Sequence, residues 1–279
     1  MRHLRTVLFL AIAMGAASPA FAEHGFHVDT DNCSNNYGTA FDVDVRSSGL
    51  AFSRDDGTPG KVFMHDGALR VDGKDVSVSA ADADSLRRYE SDVRALVPEV
   101  AAIAREGVDI GFAAMTSVTA AFAEDGDSRA RMVDKLKRKR IESLKQIDDT
   151  LGAGHWHRED TDRIVEEAVS DSVGDLVGTV TAGAVSAALS GDQAKVAALE
   201  ARANSLDAAI KREVDTRADA LEKRAHALCP KLAELDGLQK QWQFRLADGS
   251  RLRLMTVEPH REHKDSKKDD DDDKDMSTD

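Results

Sequence analysis

Aromatic residues make up only 5% of this chain, and that scarcity already narrows the architecture. A β-sandwich fills its core from aromatic and β-branched strands, whereas abundant Ala, Leu and Val suit closely packed helices. The class expected is α+β, mainly α. Long apolar runs are missing as well. The longest one past the N-terminal region, Val173 to Leu189, is diluted by Asp175, by Gly174, Gly178 and Gly183, and by several Ser and Thr. It falls short of the roughly 20 apolar residues that a spanning helix needs, so it reads as a buried helix and no stable membrane span is expected. Positive charge is also short. The net charge is −13, which repels phosphate and argues against nucleic acid as a partner.

Catalytic signatures are absent rather than weak. The sequence has no Gly-x-Ser-x-Gly, no His-Glu-x-x-His and no Cys-x-x-Cys. Gly57-Thr58-Pro59-Gly60-Lys61 lacks both the spacing of a phosphate loop and the hydroxyl residue that should follow its lysine. Carboxylates are too many to nominate a catalytic pair, and the shortage of aromatics leaves little to stack sugars. No catalytic residue, cofactor or metal ligand is assigned, and the protein is expected not to be an enzyme.

Only two cysteines are present, and their meaning depends on compartment. Residues 1–22 carry the pattern of an export signal: Arg2 and Arg5, an apolar stretch from Val7 to Ala17, and the small-residue site Ala20-Phe21-Ala22. Cleavage after Ala22 would start the mature chain at Glu23. Loss of Arg2 and Arg5 would make it more acidic still. In an oxidising compartment Cys33 and Cys229 become candidates for a disulfide closing a long loop, worth up to about 5 kcal/mol in the chain-entropy model. Separate thiols and an intermolecular bond are the alternatives. An internal bond would clamp an N-terminal β-layer to the end of a long helix.

The remainder, 23–257, reads as a single α+β domain. In 23–78 a small antiparallel meander is expected: Phe41 to Val45 alternates, as do Val62 to Met64, Leu69 to Val71 and Val76 to Val78, with Asp66-Gly67 and Asp72-Gly73 suited to type I′ turns. Such a layer must lie against a larger body. That body is a helical bundle over 79–240. Leu86, Tyr89, Val93 and Val97 open it, and Pro98 is expected to end one helix and begin a second that runs to Glu124. A third helix from Ser128, as N-cap, runs to Leu151 before Gly152-Ala153-Gly154. A fourth, from Glu159 to Leu189, is placed at the bundle centre because Gly174, Gly178 and Gly183 allow close backbone approach. The fifth, Asp192 to Leu228, carries Val196, Leu199, Ala203, Leu206, Ile210, Val214, Leu221 and Leu228 at alternating spacings of three and four. That pattern describes one side of a helical hairpin or a coiled coil, with an antiparallel partner in the chain favoured over a dimer zipper. A short helix follows Cys229-Pro230, then a C-terminal β-hairpin over 241–257 pairs Trp242, Phe244 and Leu246 with Leu252 and Leu254 across Asp248-Gly249. The stretch 258–279, with five aspartates at Asp269 to Asp273, reads as a disordered acidic tail.

With these elements placed, the chain resembles the YggN-like family of uncharacterised Gram-negative periplasmic proteins, domain of unknown function family 2884. The resemblance rests on a signal peptide, Cys33, Asp66-Gly67 and Gly73-Lys74 in a strand pair, a helix with Tyr89, Arg94 and Pro98, and a late Cys229. It implies a periplasmic location and a helix-rich α+β fold, and it brings no mechanism.

Two polar clusters remain. His155-Trp156-His157 could hold zinc or copper if His24, His27 or a carboxylate came near, but paired histidines in a loop are commonly solvated while the tryptophan covers an apolar patch. His260 and His263 beside the acidic tail would collect divalent cations loosely. Lys135, Lys137, Arg138, Lys139 and Arg140 form a basic run that offers weak anionic-lipid contact, or simply a solvated helix face partly neutralised by Asp134 and Glu142. The favoured function is a non-enzymatic structural or interaction protein of the envelope, binding a protein partner or itself. The alternative is a periplasmic metal- or small-ligand-binding module, with a hydrolase third.

Overall fold

The computed structural model describes residues 26–28, 33, 35–123, 125–160, the positions Gly174, Val177, Gly178, Thr181, Val185 and Leu189, and residues 193–259. The expected export signal at 1–22 lies outside the described residues, as do residues 260–279 of the expected acidic tail. The architecture is α+β and mainly α, with an antiparallel strand layer set on long helices.

The strands form two sheets among the described residues. The larger has the order β7-β6-β5-β4-β3-β8, built from β3 (Asp42–Arg46), β4 (Gly49–Ser53), β5 (Lys61–His65), β6 (Ala68–Val71), β7 (Lys74–Val76) and β8 (His155–Trp156). β3 to β7 are the expected meander. Both Asp-Gly turns take left-handed φ at each central residue, 45° and 80° at Asp66-Gly67 and 47° and 79° at Asp72-Gly73, as a type I′ hairpin requires. Gly67 has a second reason to be glycine. A Cβ there would lie 2.7 Å from the Ala83 carbonyl oxygen, because this turn rests directly on the first helix.

The smaller sheet joins β1 (Phe26–Val28), β2 (Asn35–Thr39) and β9 (Thr256–Pro259), with β2 in the middle. The expected tail boundary at 258 therefore falls two residues early: Glu258 and Pro259 pair with Asn36 and Asn35.

Helix α1 runs from Ala80 to Phe122 without a break, which corrects the expected division at Pro98. A proline inside a helix costs about 3 kcal/mol. Here its ring is exposed, while Val93, Leu96, Val97 and Ala101 on either side of it are buried, and each large apolar side chain buried returns about 1.5–3 kcal/mol. Ser79 caps α1 reciprocally with Asp82.

α2 (Gly126–Asp149) folds back along α1. Arg140 meets Asp109 and Arg105 meets Asp148, a decreasing register that makes the pair antiparallel. Its cap is Asp125, whose carboxylate accepts the Ser128 N–H at 2.7 Å, and not Ser128 as expected. An ionised carboxylate is the stronger acceptor for an N-terminal amide and complements the helix dipole.

The expected fifth helix is two helices, α3 (Gln193–Ile210) and α4 (Thr216–His226), joined by a π-helical turn at Lys211–Asp215. Its partner is α1: Arg217 pairs with Glu106, and Leu221 lies 3.8 Å from where a Gly107 Cβ would be. The apolar stripe is only half-buried there, and Val196 is exposed. α5 (Cys229–Gln241) continues along α1 with Lys231 on Glu99 and Glu234 on Arg88, again antiparallel.

Most of the expected central helix 159–189 lies outside the described residues. At Gly174 and Gly178 a Cβ would meet nothing within 4 Å, and Val177, Thr181, Val185 and Leu189 are exposed. Nothing approaches those two glycines closely, so they lend the central placement no support, and Gly183 lies outside the described residues.

The C-terminal hairpin survives as a turn without a strand ladder. Leu246 N–H bonds the Ser250 carbonyl at 3.0 Å, and Trp242, Phe244, Leu246, Leu252 and Leu254 are all buried as the alternation predicts. The arms find other backbone partners. Gln239 Oε1 accepts the amides of Leu254 and Met255 at 3.0 and 3.1 Å, and Asp82 accepts that of Gln243 at 2.8 Å.

One main core unites Tyr89, Leu96, Met64, Phe52, Leu232 and Trp242 with their neighbours, and Cys33 is part of it. Cys33 is bonded to Cys229, 196 residues away, with Cα atoms 5.8 Å apart. The double variant Cys33→Ser/Cys229→Ser should lose about 2–5 kcal/mol in urea unfolding. A change under about 1 kcal/mol would show that packing alone holds the strand layer.

Candidate functional site

The residues that sequence reading singled out around Trp156 lie on the edge of the larger sheet. After the left-handed Gly154, φ 86°, β8 pairs antiparallel with β3, placing Val43 opposite Trp156 and Asp44 opposite His155. The Val45 N–H bonds the Gly154 carbonyl at 2.8 Å, and the Arg158 N–H bonds Asp42 at 3.1 Å. Side chains alternate across a strand, so Val43 and Trp156 turn to the core while Asp44, His155 and His157 share the outer side.

Asp44 Oδ1 accepts from His155 Nδ1 at 2.6 Å and from His157 Nε2 at 3.2 Å, and its Oδ2 accepts from Arg46 at 3.0 Å. A carboxylate can only accept, so each imidazole presents its N–H to this one oxygen. Burial pushes the Asp44 carboxyl up. The hydrogen bonds from His155 and His157 and the nearby charges of His157 and Arg46 outweigh it and hold the group below its ordinary value. Asp160 stands behind the second ring, 3.9 Å from His157 Nδ1. The carboxylate that sequence reading required has arrived, but from 111 residues away, a pairing no local pattern signals. Of the other candidates, His27 lies in β1 of the smaller sheet, and His24, His260 and His263 lie outside the described residues.

Beneath Trp156 is an apolar cavity of about 70 Å³ bounded by Tyr37, Phe52, Tyr89, Val97 and Leu254. Burial, with Asp236 nearby, drives the Tyr89 phenol far up, so it stays neutral. The space suits a few apolar atoms and offers them little polar purchase.

Sequence reading missed Glu90. It lies on α1 four residues after Leu86 and three before Val93, inside the apolar stripe, and it is buried. It accepts the Asp66 N–H at 3.0 Å, two Arg94 bonds at 2.7 and 3.1 Å, and a longer one from His65. The task is mechanical: it ties the β5–β6 turn to α1. The basic run on α2 is largely paired, Lys137 with Asp134, Lys139 with Glu142 and Arg140 with Asp109.

The fold and this edge define a disulfide-clamped α+β protein in which no helix among the described residues is long and apolar enough to cross a membrane. The chain belongs to the family described as protein of unknown function DUF2884, whose model matches residues 37–255. No curated protein and no solved structure matches it.

Burial pushes the Glu90 carboxyl up, but Arg94, the Asp66 amide and His65 draw it below its ordinary 4.5. A depressed carboxyl adds stability that is present above the unfolded value and is lost as pH falls through the lower folded one. Glu90→Gln should therefore cost about 1–3 kcal/mol at pH 7 and flatten the decline in stability below about pH 4.5. Urea unfolding at pH 7, 5, 4 and 3 measures both effects, and parallel curves for the two proteins would refute the assignment.

Proposed function

We propose that the protein works outside the cytoplasm as a non-catalytic interaction protein of the cell envelope, docking through its helical body onto a protein surface. An exposed apolar ridge carries this reading. Val177, Val185 and Leu189 are helical and 57%, 49% and 82% exposed, and Val196 is 49% exposed beyond them. Rows of side chains spaced four apart are what one helix inserts into the grooves of another. Large apolar residues gathered on an exposed face mark contact surfaces more often than chance does. The export pattern at 1–22, the oxidised cysteine pair and the lack of any catalytic motif support the same reading.

A second reading, a small-ligand-binding module, is favoured by the apolar cavity under Trp156. Its size limits the occupant to a small apolar group.

Photo-crosslinking in cells from position 185 or 189 tests the first reading. A discrete protein adduct is expected, either with a second copy or with an envelope protein, and Leu189→Asp should reduce it at least several-fold without altering the far-UV spectrum. Mature protein that stays monomeric and gives no adduct from either position would sink the proposal.

A further inference from the structure

We infer that Asp44, His155 and His157 form a binding site for one borderline divalent transition ion of the zinc or copper type. Their ligand atoms, one carboxylate oxygen and two imidazole nitrogens, all lie within 4.8 Å of one another. Around zinc, such atoms sit about 2.0–2.2 Å from the ion, so closing the set needs only sub-ångström to ångström shifts of the two rings. Both rings are partly exposed, with side chains 42% and 37% exposed against 14% for Asp44.

The framework does not depend on the ion. The β3–β8 register, the Val45–Gly154 bond and the Arg158–Asp42 bond hold the two strands together through the backbone. Three ligands on two fixed strands are therefore presented at little ordering cost, and one open position is left for water. The donor set selects the metal class. Two imidazoles with one carboxylate suit zinc or copper, while magnesium and calcium demand more oxygen ligands.

The neighbours are arranged as outer partners. Arg46 bonds Oδ2 of Asp44 and leaves Oδ1 to the imidazoles. Its charge opposes a cation, but the side chain is 58% exposed and can withdraw. Asp160 lies behind the His157 ring, where a carboxylate orients a ligating histidine and raises its basicity. Asp42 adds negative charge on the same strand, its Oδ1 engaged by the Arg158 amide. Both imidazoles converge on one carboxylate oxygen, and an ion would sit between these three atoms. Each ring stays a neutral ligand by carrying its proton on the other nitrogen, Nε2 of His155 and Nδ1 of His157, the latter on the side of Asp160. This site is separate from the apolar ridge, so either proposal can fail alone.

The test uses the mature protein with its disulfide intact, stripped with chelator and titrated calorimetrically with zinc sulfate, magnesium chloride serving as control. His260→Ala/His263→Ala is the parent, because the acidic tail can collect cations of its own. One equivalent of zinc and no comparable magnesium binding are expected. His157→Ala and Asp44→Asn should each weaken zinc at least about tenfold, with far-UV spectra unchanged. X-ray absorption on the zinc-loaded parent should show two imidazoles and no sulfur. A parent that binds no zinc, or a folded His157→Ala variant that binds as the parent does, overturns the assignment. Should Asp44→Asn fail to fold, His157→Ala and the absorption spectrum still decide it.

Discussion

The bond between Cys33 and Cys229 joins parts of the chain 196 residues apart within the main core. Cys33 precedes the short strand β2, and Cys229 opens α5 beside Leu228 and Leu232 in the main core. The smaller sheet has two three- or four-residue outer strands, β1 and β9, drawn from opposite ends of the chain. A sheet of that size is marginal alone. Covalent closure of a long loop removes much of the entropy that would otherwise oppose bringing the two ends together. The oxidised pair thus favours the architecture by restricting the unfolded chain.

Around that clamp, acidic and amide side chains do work that a backbone ladder does elsewhere. Asp72 accepts the amides of Gly60 and Lys61, Glu90 that of Asp66, Asp42 that of Arg158 and Asp82 that of Gln243. Gln239 spends both ends of its carboxamide, accepting from Leu254 and Met255 and donating to Asp236 and the Met255 carbonyl. Apart from the Gln239–Asp236 bond inside α5, these bonds join segments of different elements. Two of these carboxyls, Asp82 and Glu90, are held below their ordinary values, so the junctions they make weaken in acid as those acceptors become protonated. Part of the chain's acidity is therefore structural and does not describe a partner.

The long helices play a different role. The first half of α1 is buried under the strands and the C-terminal segment, while its second half meets α2, α3 and α4 largely through ion pairs and half-buried contacts. The side chains of that second half are mostly half-buried and form a broad helical surface. The DUF2884 family to which the chain belongs supplies no activity to place on that surface. The functional proposals rest instead on two local features, an apolar ridge facing solvent and a histidine pair closed by a carboxylate.

Sequence alone determined the α+β class, the Asp-Gly turns, the inward residues of the strands and of α1, and the inward residues of the C-terminal arms. These are set by periodicity and by backbone preferences that act over a few residues. It also named both cysteines and both histidines of the β8 edge. Only tertiary structure decided that α1 passes through Pro98, because the deciding term is burial on both sides of the proline. It likewise decided that Gly174 and Gly178 face open space, that Glu90 accepts the Asp66 amide, and that Asp44 closes on His155 and His157. Each of these depends on which distant surface packs against a residue, and a pairing across 111 positions leaves no trace in local pattern.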